Sequence, residues 1–170
     1  MLMDKSQIEQ LTQWYELYGP ELLLYARQLT SRQGAEDVVQ EAFVHLLRQS
    51  QTPQNVRAWL YRVVRNTSRT LLRRLRHRSL KRHAARQTPV PWFDPHPEDM
   101  IDAQYAQDLL ETLPRPQREI VVMRIWGQMT LKEISDLIQR PVSSVHRLYE
   151  TALETLRTKW EATPCVRNLD

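Results

Sequence analysis

Apolar residues recur at every third or fourth position along most of the chain, and this spacing is typical of one face of an α-helix. The stripes run through residues 8–29, where Gly19 and Pro20 interrupt the pattern, and through residues 34–49, and a third begins near Val56. Further stripes follow in residues 100–113, 118–126, 130–138 and 142–160. Only three glycines are present, which disfavours a sheet-rich fold with many tight turns. The pattern predicts an all-α protein.

A proline-rich stretch interrupts this series of helices. Residues 87–99, QTPVPWFDPHPED, contain four of the ten prolines of the chain. Proline cannot donate a backbone hydrogen bond and breaks the interior of a helix, so this density predicts a linker. The linker divides the 170 residues into two small helical domains, 8–86 and 100–162, each of ordinary domain size.

Positive charge is concentrated in the middle of the chain. From Ala42 to Phe93 there is no Asp or Glu, and this block holds 12 of the 24 Lys and Arg residues. The remaining residues carry 24 − 12 = 12 basic groups and all 20 acidic groups, a sum of −8. The modest net charge of +4 therefore conceals a strongly basic segment between two acidic flanks.

The arginines of the third predicted helix fall on one side of it when successive residues are placed about 100° apart. The predicted apolar side is Leu60, Val63, Val64, Thr67, Leu71 and Leu75, and the predicted basic side is Arg62, Arg65, Arg69, Arg73 and Arg76. A solvated helix face usually mixes both signs, because like charges four residues apart repel each other. A face of one sign favours a polyanionic partner, with nucleic acid before membrane.

The last two predicted helices have the spacing of a helix-turn-helix. Thr130 and Glu133 are placed as in a capping box, Gln139-Arg140-Pro141 predicts a tight turn, and a longer helix follows. The second helix of such a motif lies in the major groove of DNA. Ordinary αα-hairpins share this spacing, so the motif alone leaves DNA binding and simple packing equally open.

Three segments in this order resemble bacterial extracytoplasmic-function sigma factors. They are AEDVVQEAFVHLLRQ, NVRAWLYRVVRNTSRTLLRRLR and LLETLPRPQREIVVMRIWGQMTLKEISDLIQRPVSSVHRLYETALETLR, and the resemblance extends from about Tyr15 to Trp160. It implies a sigma region 2 helical bundle over 8–86, the linker 87–99, and a sigma region 4 helix-turn-helix domain over 100–162. It also implies the function of an alternative sigma factor in promoter recognition and transcription initiation.

The resemblance implies roles for individual residues as well. Binding of core RNA polymerase is expected at Asp37, Gln40 and Glu41. Binding of the −10 element and its unpaired strand is expected at Asn55, Arg57, Trp59, Tyr61, Arg62, Arg65, Asn66 and Arg69. Binding of the −35 element is expected at Arg140, Ser143, Ser144, Arg147, Glu150 and Arg157. Unpaired bases stack on aromatic and guanidinium planes beside a basic track, and the residues expected to bind the −10 element include side chains of these kinds.

Three of these assignments have an alternative. Asp37 can act only as a favourable charge near a helix N-terminus. Trp59 lies near the apolar side of its helix and can belong to the core. Glu150 and Glu154 depart from the basic recognition helix that is usual in the family, since carboxylates repel phosphate, although Glu150 can accept a hydrogen bond from a cytosine amino group.

The remaining observations concern other classes of protein. GxGxxG, P-loop and HExxH motifs are absent, so neither an enzyme, a cofactor nor a metal site is predicted. Cys165 is the single cysteine, and no apolar run approaches the roughly 18–20 residues needed to cross a bilayer. We expect a cytoplasmic protein with core RNA polymerase, promoter DNA and an anti-sigma factor as partners, and no membrane insertion. The alternatives are a stand-alone helix-turn-helix regulator and a protein whose basic helix lies on anionic membrane.

Overall fold

The computed structural model describes residues 5–79, Trp92 and residues 100–162, with side chains described to Leu75 in the first range and from Gln104 in the second. The helices of these ranges are α1 Lys5–Arg27, α2 Arg32–Leu47, α3 Val56–Ser79, α4 Met100–Glu111, α5 Arg115–Ile125, α6 Leu131–Ile138 and α7 Val142–Ala162. No strand occurs in the described residues, and the all-α prediction is confirmed.

The chain divides into two compact units, a front unit of Met1–Trp92 and a back unit of Phe93–Asp170. Apart from Trp92, the predicted linker over 87–99 lies outside the described residues, as does the side chain of Arg76. Helices α1 to α3 therefore belong to the front unit and helices α4 to α7 to the back unit.

Helix α1 continues through Gly19 and Pro20, so the predicted interruption at these residues was wrong. A proline inside a helix costs roughly 3 kcal/mol, because it removes one backbone hydrogen bond and crowds the preceding turn. The turns that follow Pro20 contain the fully buried side chains of Leu22 and Tyr25. Burial of large apolar side chains contributes about 1.5–3 kcal/mol each, and this packing outweighs the local preference of proline.

A glycine allows α2 to approach α3 closely. Helix α2 begins after Ser31, whose hydroxyl accepts a hydrogen bond of 3.3 Å from the backbone N–H of Gly34. A Cβ atom at Gly34 would lie 2.6 Å from Thr30 Oγ1 and 3.1 Å from Leu71 Cδ2. The apolar side of α2 is thereby seated in the core of the front unit.

The back unit contains the predicted helix-turn-helix. Thr130 Oγ1 accepts a hydrogen bond of 3.2 Å from the backbone N–H of Glu133, whose carboxylate accepts one of 2.7 Å from the backbone N–H of Thr130. The predicted capping box at the start of α6 is therefore confirmed. The three-residue turn to α7 begins at Gln139 in the left-handed conformation, with φ 58° and ψ 50°. Ser135 Oγ donates to the Arg140 carbonyl at 2.6 Å and holds this turn.

Candidate nucleic-acid interface

Helix α3 carries a basic face that we define by Arg62, Arg69 and Arg73. All three side chains are exposed, and among the described residues none forms an ion pair with them. A rise of about 1.5 Å per residue places Arg69 roughly 10 Å beyond Arg62 and Arg73 roughly 6 Å beyond Arg69. Asn66, which lies between Arg62 and Arg69, is exposed too. This face offers three guanidinium groups to an anionic partner.

Arg65 does not belong to the basic face, contrary to the prediction. Only 8% of it is exposed, and it has an interaction partner within the protein. Its neighbours on the same side of the helix, Tyr61 and Ser68, have 0% exposure. Residues at i, i+4 and i+7 share one helix face, so the buried side of α3 is rotated relative to the predicted one and includes Arg65.

Tyr61 also lies in the core rather than at the surface. Its ring centre lies 5.0 Å from that of Tyr25, and its hydroxyl is buried. Burial raises the pKa of this hydroxyl, and the nearby charge of Glu21 raises it further. A fully buried ring cannot stack on a base, so the expected contact of Tyr61 with DNA is corrected.

Arg57 is engaged within the front unit. Its Nε lies 3.3 Å from Glu21 Oε1, and its guanidinium carbon lies 5.2 Å from the ring centre of Tyr18. Burial raises the pKa of Glu21 to about 7, although the charge of Arg57 opposes this shift. Arg57 thus links α3 to α1, and its predicted contact with the −10 element stays a prediction.

The two remaining predicted residues flank the start of α3. Asn55 caps this helix, since its side-chain oxygen accepts a hydrogen bond of 2.9 Å from the backbone N–H of Ala58. Trp59 is half-buried, so part of its ring reaches the surface. Base contacts of Asn55 and Trp59 stay predictions.

Helix α2 presents a polar stripe made of Asp37, Gln40 and Glu41, which we call the α2 stripe. All three residues are exposed, while Val38 and Val39 on the other side of the helix are buried. Val44, one turn beyond Gln40, is 40% exposed and adds an apolar side chain to the stripe. Sequence reasoning did not single out Val44 for this surface.

Helix α7 exposes most of the residues predicted for its outer face. Ser143, Arg147 and Glu150 are exposed, Arg140 is exposed in the preceding turn, and Ser144 is half-buried. The buried side of the helix contains Val145 and Ala152. The start of α7 therefore presents one cation and hydroxyl groups beside the turn.

Two side-chain contacts, each between residues four positions apart, lie on this outer face. His146 Nδ1 lies 3.0 Å from Glu150 Oε2, and Arg157 Nε lies 2.9 Å from Glu161 Oε1. Sequence reasoning missed both pairs, although the spacing of four residues is the signal for such contacts. The first contact places the His146 ring beside Glu150, and in the second Arg157 Nε donates a hydrogen bond to Glu161 Oε1 on the same helix.

Family models match both units. Residues 14–78 match Sigma-70 region 2, and residues 103–156 match Sigma-70 region 4. The RNA polymerase sigma-E factor of Streptomyces coelicolor is 30% identical over 153 residues, which cover 88% of this chain and 82% of that protein. The chain belongs to the extracytoplasmic-function sigma factors. Its function is that of an alternative sigma factor, a protein that directs transcription initiation, and the predicted family is confirmed.

Other relatives of this sigma factor agree with the assignment. The Xanthomonas campestris protein named "Probable RNA polymerase sigma factor RfaY" is 28% identical over 135 residues, 74% of this chain, and the chain spans about a third (34%) of its length. The sigma factor RpoE, solved with the anti-sigma factor NepR from Bartonella quintana, has a TM-score of 0.75 at 18% identity, covering 91% of this chain and 98% of that one. CnrH, solved with the cytosolic domain of CnrY, has a TM-score of 0.61 at 23% identity over 89% of this chain and 88% of that one. At these identities the solved structures show the fold.

No helix in the described part of this sigma factor combines the length and apolar character needed to cross a membrane.

Proposed function

We propose that this sigma factor binds core RNA polymerase through the α2 stripe, holds the unpaired −10 strand on the basic face of α3, and contacts the −35 duplex with α7. The observation that carries the proposal is the basic face itself. Arg62, Arg69 and Arg73 are exposed on one helix, inside a block from Ala42 to Phe93 that has no carboxylate to neutralise them.

The chemistry of the basic face suits a single strand. Arginine holds phosphate through charge-assisted hydrogen bonds, and its plane also stacks on an unpaired base. Asn66 is exposed between two of the arginines, and amide side chains can hydrogen-bond to base edges. Trp59 offers a partly exposed ring near the start of the same helix. We therefore assign the −10 contacts to these residues together with the basic face.

The α2 stripe supplies the surface for core polymerase. It combines two carboxylates and an amide with the exposed side chain of Val44, a composition that suits an interface with an apolar centre and a polar rim. Asp37→Ala should weaken the association with core polymerase. Glu36→Ala is the matched control, because Glu36 is an exposed carboxylate on the same helix that already pairs with Arg32 at 3.7 Å.

The outer face of α7 supplies contacts to duplex DNA. Arg147 is exposed on α7, and arginine is the side chain that most often contacts guanine in the major groove, while Ser143 and Arg140 lie near the turn and can hold phosphates. His146 lies beside Glu150 on the same helix, with 3.0 Å between its Nδ1 and Glu150 Oε2. Glu150 is exposed and can accept a hydrogen bond from a cytosine amino group. Arg157 is a weaker candidate, since Glu161 engages it.

The proposed partners follow from this function. They are core RNA polymerase, promoter DNA and an anti-sigma factor that holds the free chain; the complex of the Bartonella quintana sigma factor with NepR supports the last of these. The function places the protein in the cytoplasm, where promoter DNA is found, and the chain itself makes or breaks no covalent bond.

The deciding experiment combines the purified full chain with core polymerase and measures association and run-off transcription on genomic fragments. The proposal predicts a stable complex and discrete transcripts that disappear when the chain is left out. Failure to associate with core polymerase would reject it. Dimeric binding to a palindromic duplex without polymerase would favour the stand-alone regulator instead.

A further inference from the structure

One residue of the proline-rich stretch is buried in the front unit. Trp92 is 6% exposed, and its carbonyl oxygen accepts a hydrogen bond of 2.9 Å from Arg27 Nη1. Arg27, in the last turn of α1, is itself only 5% exposed. The two residues are 65 positions apart in the chain, so the contact joins the proline-rich stretch to the end of the first helix.

This contact has the features of a specific attachment. A buried tryptophan removes a large apolar surface from water, which is a strong driving force for a single side chain. A buried guanidinium is costly unless it is hydrogen-bonded, and the Trp92 carbonyl accepts one of its N–H groups. The hydrogen bond gives the buried Arg27 guanidinium an acceptor and the Trp92 carbonyl a donor, so it stabilises both residues in their buried positions.

We propose that Trp92 is an anchor that sets the point at which the linker leaves the front unit, and that it thereby limits the distances between −10 and −35 elements that this sigma factor can bind at once. The anchor itself stands on burial and the hydrogen bond to Arg27. Its effect on promoter spacing rests on the proposed function.

The length of the tether gives the size of the effect. From Trp92 to Met100, where α4 begins, there are 100 − 92 = 8 peptide steps, and from Ser79, where α3 ends, there are 100 − 79 = 21. Fully extended, these paths reach at most about 29 Å and about 76 Å. The effective concentration of a tethered site falls roughly as the −3/2 power of tether length. Release of Trp92 therefore lowers the effective concentration of one DNA-binding unit at its site about fourfold.

Two insertions in the full chain distinguish an anchored linker from a free one. Eight Gly and Ser residues are inserted either upstream of Trp92, between Arg86 and Gln87, or downstream of it, between Pro97 and Glu98. The downstream insertion doubles the tether from 8 to 16 steps and should lower the joint binding of both elements about threefold. It should also broaden the range of spacer lengths that support run-off transcription with core polymerase. The upstream insertion should change neither, because the anchor lies between it and the back unit.

A variant of the anchor completes the test. In a Trp92→Ala background both insertions should act alike, and Trp92→Ala alone should broaden the spacer range. Equal effects of the two insertions in the wild-type background would overturn the proposal. So would an unchanged spacer range in Trp92→Ala.

A measurement without polymerase or DNA separates the anchor from the proposed function. Fluorescent labels at Gln13→Cys and Thr158→Cys, in a Cys165→Ser background, report the distance between two exposed sites, one on α1 and one on α7, by energy transfer. The downstream insertion should lengthen the mean distance more than the upstream one. Equal lengthening would show that Trp92 does not anchor the linker. The downstream insertion could lengthen the distance more than the upstream one while the wild-type chain fails to initiate transcription. That result would support Trp92 as an anchor of the linker and would reject its role in promoter spacing together with the proposed function.

Discussion

The basic face of α3 makes a quantitative prediction about salt. Each phosphate contact to a single strand contributes about 0.7 to the slope of log affinity against log salt concentration, because a bound counterion is released. Arg62, Arg69 and Arg73 are exposed and have no ion pair among the described residues, so each is available for one such contact. Replacing all three by Ala should therefore reduce the slope by about 2.1.

The reduction is large enough to measure directly. Between 50 and 200 mM salt, a fourfold change, a slope difference of about 2.1 corresponds to a difference of roughly 18-fold in the loss of affinity. The assay is fluorescence anisotropy of the holoenzyme, formed from core polymerase and the chain, on a labelled DNA with a single-stranded −10 segment. Each single substitution should reduce the slope by about 0.7, a third of the reduction in the triple variant.

Two further variants serve as controls. Arg32→Ala removes one positive charge from the same unit but from an exposed pair with Glu36 on α2, so the slope should stay as in the wild type. Arg65→Ala should lower the free energy of unfolding instead of the slope, because Arg65 is buried and engaged within the protein. An unchanged slope in the triple variant, or an equal loss in Arg32→Ala, would refute the assignment of the basic face to the DNA strand.

The remaining predictions concern stability, measured by urea unfolding. Gly34→Ala would bring a methyl group within 2.6 Å of the Thr30 hydroxyl and 3.1 Å of Leu71 Cδ2. Overpacking costs about 1–3 kcal/mol and the better helix propensity of Ala returns about 1 kcal/mol, so we expect a net loss of up to about 2 kcal/mol; a gain in stability would mean that the neighbouring side chains make room for the methyl group without cost. The folded-state pKa of Glu21 is raised from 4.5 to about 7, so its contribution to stability is full below about pH 4.5 and is lost as the pH rises through 7. Glu21→Gln should therefore be less sensitive to pH than the wild type between pH 5 and 8, and identical profiles would contradict the raised pKa. Thr130→Ala should cost about 1 kcal/mol by loss of the cap, and Thr130→Ser should restore it.

Several features of the candidate site could be predicted from local sequence. The capping box of Thr130 and Glu133 and the short turn before α7 depend on residues within one or two helical turns, and both were predicted correctly. The His146–Glu150 pair belongs to the same class, since its spacing of four residues is visible in the sequence. It was missed only because Glu150 was considered with respect to DNA alone.

Other features depend on residues that are distant in the chain. The ion pair of Arg57 with Glu21 and the hydrogen bond of Arg27 with Trp92 join positions far apart in the sequence. Helical periodicity within α3 could not reveal these partners, because it places residues around one axis without showing which neighbouring helix lies opposite. The same limit explains why the burial of Tyr61 was not predicted: a contact with DNA requires an exposed ring, and Tyr61 lies in the core.

The sequence by itself determined the all-α character of this sigma factor, the order of its helices and the block of positive charge without carboxylates. These properties follow from periodicity, capping and composition, which act between near neighbours in the chain. The tertiary structure alone decided which arginines of α3 face outward, why Pro20 is accepted inside α1, and that Trp92 is buried. The reason is that burial is a property of packed surfaces, and the surface that covers a residue comes from helices elsewhere in the chain.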